Sequence, residues 1–342
     1  MLKIVKQLEL GIDLGTSNTL VYLKNRGVIF DEPSYIVFDK RNLNIIAIGK
    51  EAKKMVGRAP QYLNVVKPIN FGIVTDFEST TNYLTKILEI INKEYFSLLR
   101  PKAIIGIPLN LTEVQIRGVI DAGISAGFKD VYTIEQPIAA ALGGNLDIDE
   151  AKGLMIVDIG GGTTEISVIS LGGIVTGKSI KIAGDRFNSS FLNYIRLKHN
   201  LIVGESQIEE AKIKIGSIVG KNNLFNLRGR DTLTTLPKEI TISSHDLREA
   251  ISPLLIDLID EIKDILNITP AELIGDIVSR GIYLTGGGSL IEGLSEFMEN
   301  ELNVKVNKLE NPLHSVVLGL GKIIENFEHY KKFCYSNSKV NI

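Results

Sequence analysis

Apolar and polar positions along the chain follow one grammar that is written twice. Near the N-terminus an apolar stretch, 10–12, runs into Asp13, then Leu14, Gly15, Thr16, Ser17 and Asn18, and an alternating stretch follows over 19–23. In the middle of the chain 154–157 is continuously apolar and ends at Asp158; Gly160, Gly161, Gly162 and Thr163 come next, and alternation resumes over 165–170. Continuous apolar runs predict buried strands, and alternation predicts half-buried ones. A glycine turn follows each second strand, at Gly27 and at Gly172-Gly173, and a third strand follows each turn, over 28–30 and 174–182. The unit is an internal repeat far too long in period for a solenoid.

The remaining pattern predicts strands over 34–38 and 43–48 and a short helix over 49–56. Asp76 opens a helix whose Leu84, Ile87, Leu88 and Ile91 have the spacing of one buried face; it leads to a connecting segment, 95–100. A strand over 103–107 is closed by Pro108. Thr112 with Gln115 forms a capping box for a helix reaching about Gly127. A strand over 131–134 stops at Glu135-Gln136-Pro137, and an alanine-rich helix spans 138–142.

In the second half, helices are predicted over 187–197 and 206–218, the latter carrying Glu209 and Lys212, and surface strands within 220–242. A helical region from Ser244 to 265 is expected to be interrupted near Pro253. Thr269, Pro270 and Glu272 read together as a cap, first-turn proline and capping-box acid for a helix ending at Gly281. A last buried strand, 282–284, ends in Thr285, Gly286, Gly287, Gly288 and Ser289, and another helix follows. Strands alternating with capped helices describe an α/β fold.

Length and composition narrow the class. The 342 residues suggest two domains, on a usual scale of roughly 100–200 residues each. Lobe I is expected at 1–143 with a small subdomain at 33–70, lobe II at 144–328 with a small subdomain at 188–255, and a tail at 329–342. Hydrophobic content of 44% with 23% charged residues is ordinary for a globular protein. A net charge of −2 and a pI near 6.2 argue against a nucleic-acid binder. The single cysteine, Cys334, allows no intrachain disulfide and fits a reducing cytosol. No apolar run approaches the roughly 20 residues of a membrane span, and the first residues lack a signal-peptide pattern.

Glycines at a strand–turn–strand bend let backbone N–H groups converge on one spot without obstruction by Cβ atoms. Threonine hydroxyls add donors, and an aspartate at the strand end suits Mg²⁺, which is usually held through carboxylates and waters. Any one such loop is equally a glycine-rich hairpin without a ligand. Asp13 and Asp158 could merely cap turns, and Glu209 with Lys212, three apart on a helix, could be a surface ion pair. Three glycine loops, each after an apolar strand, together favour a nucleotide cleft between two related half-molecules.

These stretches resemble the ATPase domain shared by actin, sugar kinases and the seventy-kilodalton heat-shock chaperones. Within it the chain resembles the MreB family of bacterial actins over nearly everything from Leu8 to about Ile324. The resemblance rests on Asp31-Glu32-Pro33-Ser34, on the segment from Gly72 to Glu78, on Val157 through Glu165, on Arg228-Gly229-Arg230-Asp231 and on Leu284 through Gly288. It implies an actin-like ATPase fold of two duplicated ribonuclease-H-like lobes with four subdomains around a nucleotide cleft, binding ATP and Mg²⁺. Gly15, Thr16, Ser17 and Asn18 would form the first phosphate loop and Gly160, Gly161, Gly162 and Thr163 the second. Asp13 and Asp158 would stand near the metal, Glu209 and Lys212 beside the ribose and base, and Gly286, Gly287 and Gly288 against the adenine. The implied partners are further copies in a head-to-tail filament, other MreB paralogues and the inner face of the cell membrane, with no nucleic acid; the role would be cell shape or motility. The isoleucine-, lysine- and asparagine-rich composition points to an AT-rich genome and to a wall-less source such as Spiroplasma.

The chain departs from the resemblance at two positions. The family usually carries glutamate before the proline, where this chain has Gln136. In the family that glutamate, with the threonine matching Thr163, positions the attacking water. A glutamine can orient water but cannot take its proton, so weak, slow hydrolysis is expected. Asn188 also replaces a usual acid. A small-molecule kinase of the same fold, or a non-filamentous nucleotide switch, is the alternative; a kinase would need a surplus carboxylate base beyond Asp13 and Asp158. Membrane contact is expected through Phe96, Leu98 and Leu99 in the connecting segment, flanked by Lys93 and Arg100. The tail, with Lys331, Lys332 and Lys339 around Tyr330, Phe333 and Tyr335, would be a second anchor.

Overall fold

Two five-stranded sheets with the same strand order carry the fold. The computed structural model describes residues 3–220 and 222–336. The first sheet begins with the meander β1 (Lys3–Leu14), β2 (Asn18–Leu23) and β3 (Gly27–Pro33). The chain then makes a small layer from β4 (Ile36–Asp39), β5 (Ile45–Ile48), α1 (Gly49–Lys54) and β6 (Leu63–Val66). A short hairpin, β7 (Ile69–Asn70) and β8 (Ile73–Val74), leads into α2 (Phe77–Glu94). The sheet is completed by β9 (Tyr95–Ile107), α3 (Glu113–Ser125) and β10 (Asp130–Glu135), and α4 (Gln136–Gly143) leaves it.

The second half repeats the plan with β11 (Leu154–Ile159), β12 (Thr164–Ser170), β13 (Gly173–Ile180) and α5 (Gly184–His199). Its small layer holds β14 (Leu201–Ile202), α6 (Glu205–Ile215), β15 (Leu224–Asp231) and β16 (Pro237–Ser243). Then come α7 (Ser244–Ile268), α8 (Ala271–Arg280), β17 (Ile282–Thr285), α9 (Leu294–Leu302), β18 (Val306–Lys308), α10 (Ser315–Glu325) and α11 (Phe327–Tyr330). The sheet orders are β3-β2-β1-β9-β10 and β13-β12-β11-β17-β18. In each, the meander is antiparallel and the last two strands add in parallel.

Each lobe buries its own core. Leu8, Leu10, Ile12, Tyr83 and Phe128 are buried in the first, and Val157, Ile166, Phe187 and Phe191 in the second. The lobes are joined by α4 and α10. A Cβ on Gly319 would stand 1.7 Å from the Ala139 carbonyl, and one on Gly143 would stand 1.8 Å from that of Ser315, so the helix backbones touch. Although 144–328 is expected as lobe II, α10 packs back on lobe I: a Cβ on Gly11 would stand 2.8 Å from Leu320 Cβ.

Several local expectations are corrected. Residues 95–100 are not a connecting loop: Tyr95, Phe96, Ser97 and Leu99 extend β9 and pair in parallel with Lys3, Ile4, Val5 and Gln7. Pro253 lies inside the continuous helix α7; it is exposed, so water can reach the carbonyl it leaves unpaired. Thr269 does not cap α8. Its hydroxyl donates to the Ile265 carbonyl at 2.7 Å and closes α7, while the Pro270 carbonyl accepts the first bonds of α8. The strand 282–284 is followed by one more, β18. In the described part of the tail Phe333 packs on the core and Tyr335 pairs with Thr133. Lys339 lies outside the described residues. Among those described, no helix is long and apolar enough to cross a membrane.

Candidate functional site

The first loop, Gly15 to Ser17, turns β1 into β2 and is braced from β3. Ser34 Oγ donates to the Gly15 carbonyl at 2.6 Å, and the Ser34 N–H donates to the Ser17 carbonyl at 2.9 Å. The second loop turns β11 into β12, with the Gly160 N–H bonded to the Thr163 carbonyl at 2.9 Å. It also anchors the start of α5, because the Gly161 carbonyl accepts the Asp185 N–H at 2.7 Å. The two loops touch. A Cβ on Gly161 would lie 2.1 Å from Ser17 Oγ, and one on Gly162 would lie 2.4 Å from Thr16 Oγ1. Only glycine permits this approach, which explains Gly161 and Gly162 in the second loop. The third loop leaves β17 at Gly286 with φ of 80°, and a Cβ there would lie 2.4 Å from Asp158 Oδ1.

Asp13, Gln136, Asp158, Glu209 and Lys212 line one cleft of about 500 Å³ between the lobes, together with the three glycine loops. Asp13 and Asp158 reach its floor from the two related strands, and Gln136 Nε2 donates to Asp13 Oδ1 at 3.3 Å. Burial pushes the Asp13 carboxyl up to about 7 against that hydrogen bond. Burial, with the Asp13 and Glu165 charges nearby, pushes Asp158 up to about 8. Carboxylates so destabilised as anions suit a cation. Among the described residues no group of three or more His, Cys, Asp or Glu could hold a metal by itself. Two carboxylates beside phosphate-type loops therefore fit Mg²⁺, which keeps waters and substrate phosphates as ligands, better than an ion needing an all-protein cage.

At the other end of the cleft Lys212 Nζ donates to Glu209 Oε2 at 2.7 Å and to the Gly184 carbonyl at 3.4 Å. Asn188 Nδ2 donates to the same Glu209 oxygen at 2.5 Å. Burial alone would raise the Glu209 carboxyl, but Lys212 and Asn188 overcome it and hold it below its ordinary value. An amide at 188 thus supplies a donor where an acid would repel Glu209. Asn188 Oδ1 is buried without a partner in this arrangement.

Three features escaped the sequence reading. Glu165 is buried at the cleft and accepts from the Leu109 N–H of lobe I at 2.9 Å, from Ser179 Oγ at 2.8 Å and from Thr163. Its place in an alternating strand gave no sign of this. Lys67 of the first small layer pairs with Asp185 at 2.9 Å, and Lys181 lies 4.7 Å from the Phe71 ring centroid; both contacts cross between lobes. Asp31 accepts from Asn18 at 3.2 Å and lies 3.3 Å from His314 Nε2. These pairings join residues far apart in the chain, and no local pattern encodes them.

The geometry has close counterparts. A family model described as MreB/Mbl protein matches residues 7–332. Cell shape-determining protein Mbl of Bacillus subtilis is 39% identical over 327 residues, covering 95% of this chain and 98% of the relative. Cell shape-determining protein MreB of Escherichia coli is 36% identical over 323 residues, covering 93% of each. The crystal structure of MreB5 of Spiroplasma citri bound to ADP superposes with a TM-score of 0.90 at 31% identity, covering 95% of this chain and 98% of that one. The MamK double helical filament shares the fold, with a TM-score of 0.78 at 22% identity over 93% of this chain and 99% of that one.

Proposed function

The chain belongs to the MreB/Mbl family of actin-like proteins, and on that premise we propose that it is an ATP-binding cytoskeletal subunit that polymerises into membrane-associated filaments and hydrolyses ATP slowly. The observation that carries this reading is the contact of two glycine loops at Gly161–Ser17 and Gly162–Thr16, over the paired carboxylates of Asp13 and Asp158. A triphosphate between these loops is gripped by backbone donors from both lobes, so binding holds the lobes together. Asp13 and Asp158 would hold Mg²⁺, which would supply positive charge beside the phosphates. Glu209 and Lys212 meet the ribose and base, and Gly286, Gly287 and Gly288 present a flat backbone surface to the adenine.

Hydrolysis is weak for a reason of proton chemistry. Gln136 donates through Nε2 to Asp13, which leaves its carbonyl to accept a hydrogen bond from water. Thr163 lines the same cleft. The water is oriented, but Gln136 cannot remove its proton.

Filaments arise when one face of a subunit meets a different face of the next without closing a ring; the family and the MamK filament support this mode. Phe96, Leu98 and Leu99 are 47%, 66% and 49% exposed on the ribbon formed by β9 and β1. They form the membrane contact, with exposed Lys93 beside them. Arg100 takes no part, because its guanidinium donates to the Gly127 and Phe128 carbonyls. The protein would lie at the cytoplasmic face of the membrane, alone or with MreB paralogues, in control of cell shape or motility.

Calorimetric titration with ATP tests the cleft. Binding should tighten with Mg²⁺ and fail in Asp158→Ala. An Asp158→Ala protein that binds Mg²⁺·ATP as tightly as wild type would overturn the reading.

A further inference from the structure

The C-terminal segment returns to the cleft from behind. After α11 the chain runs along the edge of β10, the outermost strand of the first sheet. The Tyr335 N–H donates to the Thr133 carbonyl at 2.8 Å, and the Thr133 N–H donates to the Tyr335 carbonyl at 3.0 Å. The phenol of Tyr335 donates to Glu135 Oε1 at 2.8 Å. Two residues earlier, Phe333 lies against lobe II: a Cβ on Gly172, at the turn between β12 and β13, would stand 2.2 Å from its ring. Within three residues the strap touches both lobes.

Glu135 is the last residue of β10 and the N-cap of α4, and its side chain makes no capping bond. Gln136, the next residue, faces the cleft, and Glu135 does not line it. The phenol therefore grips the outer side of the strand-to-helix junction whose inner side carries Gln136. A hydrogen bond to a carboxylate is about twice as strong as a neutral one. The helix before α11, α10, packs its backbone on α4 beyond the junction.

We propose that Tyr335 is a positioning residue: by holding Glu135 it sets where Gln136 stands, so docking of the C-terminal strap and occupation of the cleft are coupled. The inference rests on the reading that Gln136 orients the attacking water. Coupling is reciprocal. If docking aligns Gln136 for the nucleotide, the nucleotide must tighten docking.

Cys334 makes this measurable. It is the chain's single cysteine and is 2% exposed, between Phe333 and Tyr335, so its reaction with a maleimide reports opening of the strap. Wild-type protein should label slowly, and more slowly still with the non-hydrolysable analogue AMPPNP. Tyr335→Phe keeps the ring and removes the hydroxyl. It should label about tenfold faster, the scale of one hydrogen bond to a charged group, and lose the response to AMPPNP. Gln136→Ala should also lose the response while keeping the slow basal rate. In phosphate release Tyr335→Phe should lower kcat about threefold to tenfold with KM unchanged, and adding Glu135→Ala should cost nothing more. Equal labelling of wild type and Tyr335→Phe, an AMPPNP effect that persists without Gln136, or additive losses in the double variant would each overturn the proposal. A wild type that releases no phosphate would instead defeat the hydrolytic reading, and the labelling arm would still decide the coupling.

Discussion

Gln136 Nε2 sits 3.3 Å from Asp13 Oδ1, so the residue expected to orient water is tied to a carboxylate expected beside the metal. The pair links the start of α4 to the end of β1, and both belong to lobe I. On the proposed roles, one hydrogen bond would tie water orientation to metal placement.

Replacing Gln136 by glutamate supplies the missing proton acceptor. A general base typically contributes about 10²–10⁴-fold. If the amide orients water as proposed, Gln136→Glu should raise turnover by less, about tenfold. Single-turnover phosphate release checks this. A fast wild type indifferent to the substitution would place water activation elsewhere.

The raised carboxyls make a pH prediction. Asp13 and Asp158 titrate near 7 and 8 when folded, against about 3.9 when unfolded. Between those limits the folded state binds more protons, so their contribution to stability is fully present below about 4 and is lost as pH rises through 8. In the absence of nucleotide, Asp158→Asn should melt above wild type at pH 8.5 and lose that advantage towards pH 5. Mg²⁺·ATP should displace on the order of one proton near pH 7. Titrations in buffers of different ionisation enthalpy measure this, and identical heats would contradict it.

The loop contact predicts a steric effect. In Gly162→Ala the new methyl would meet Thr16 Oγ1 at 2.4 Å and Thr16 Cβ at 2.9 Å. Overpacking of this kind costs about 1–3 kcal/mol and separates the loops. Melting should fall, and ATP should no longer raise it. A variant still protected by ATP would show that the loops need not touch.

The apolar ribbon predicts lipid binding that grows with assembly, because a filament repeats one weak contact and gains avidity. Leu98→Ser/Leu99→Ser should lose co-sedimentation with anionic vesicles while still polymerising. Pelleting equal to wild type would remove the ribbon as the anchor.

Much of this architecture was legible because it is local and repeated. The Asp-Gly-Thr grammar around Asp13 and Asp158 marked both phosphate-type loops, and the matching strand order of the two sheets follows from the same repeat. What the sequence hid was paired over distance. Residues 95–100 lack a clean alternation, and their partners lie at the other end of the lobe's chain, on β1. Thr269 and Glu272 have the letters of a capping box, yet the hydroxyl is spent on the preceding helix. Glu165 and Tyr335 look like ordinary strand and tail residues. Their importance comes from Leu109 and Glu135, which only the folded chain brings near.

ATP clamped between the lobes is proposed to drive assembly. The most direct test is sedimentation with electron microscopy of the purified protein at one raised concentration, with Mg²⁺·ATP and without nucleotide. Filaments should pellet with Mg²⁺·ATP, be sparse without it and be absent in Asp158→Ala. Protein that stays monomeric in every condition, or filaments indifferent to nucleotide and to Asp158→Ala, would contradict it.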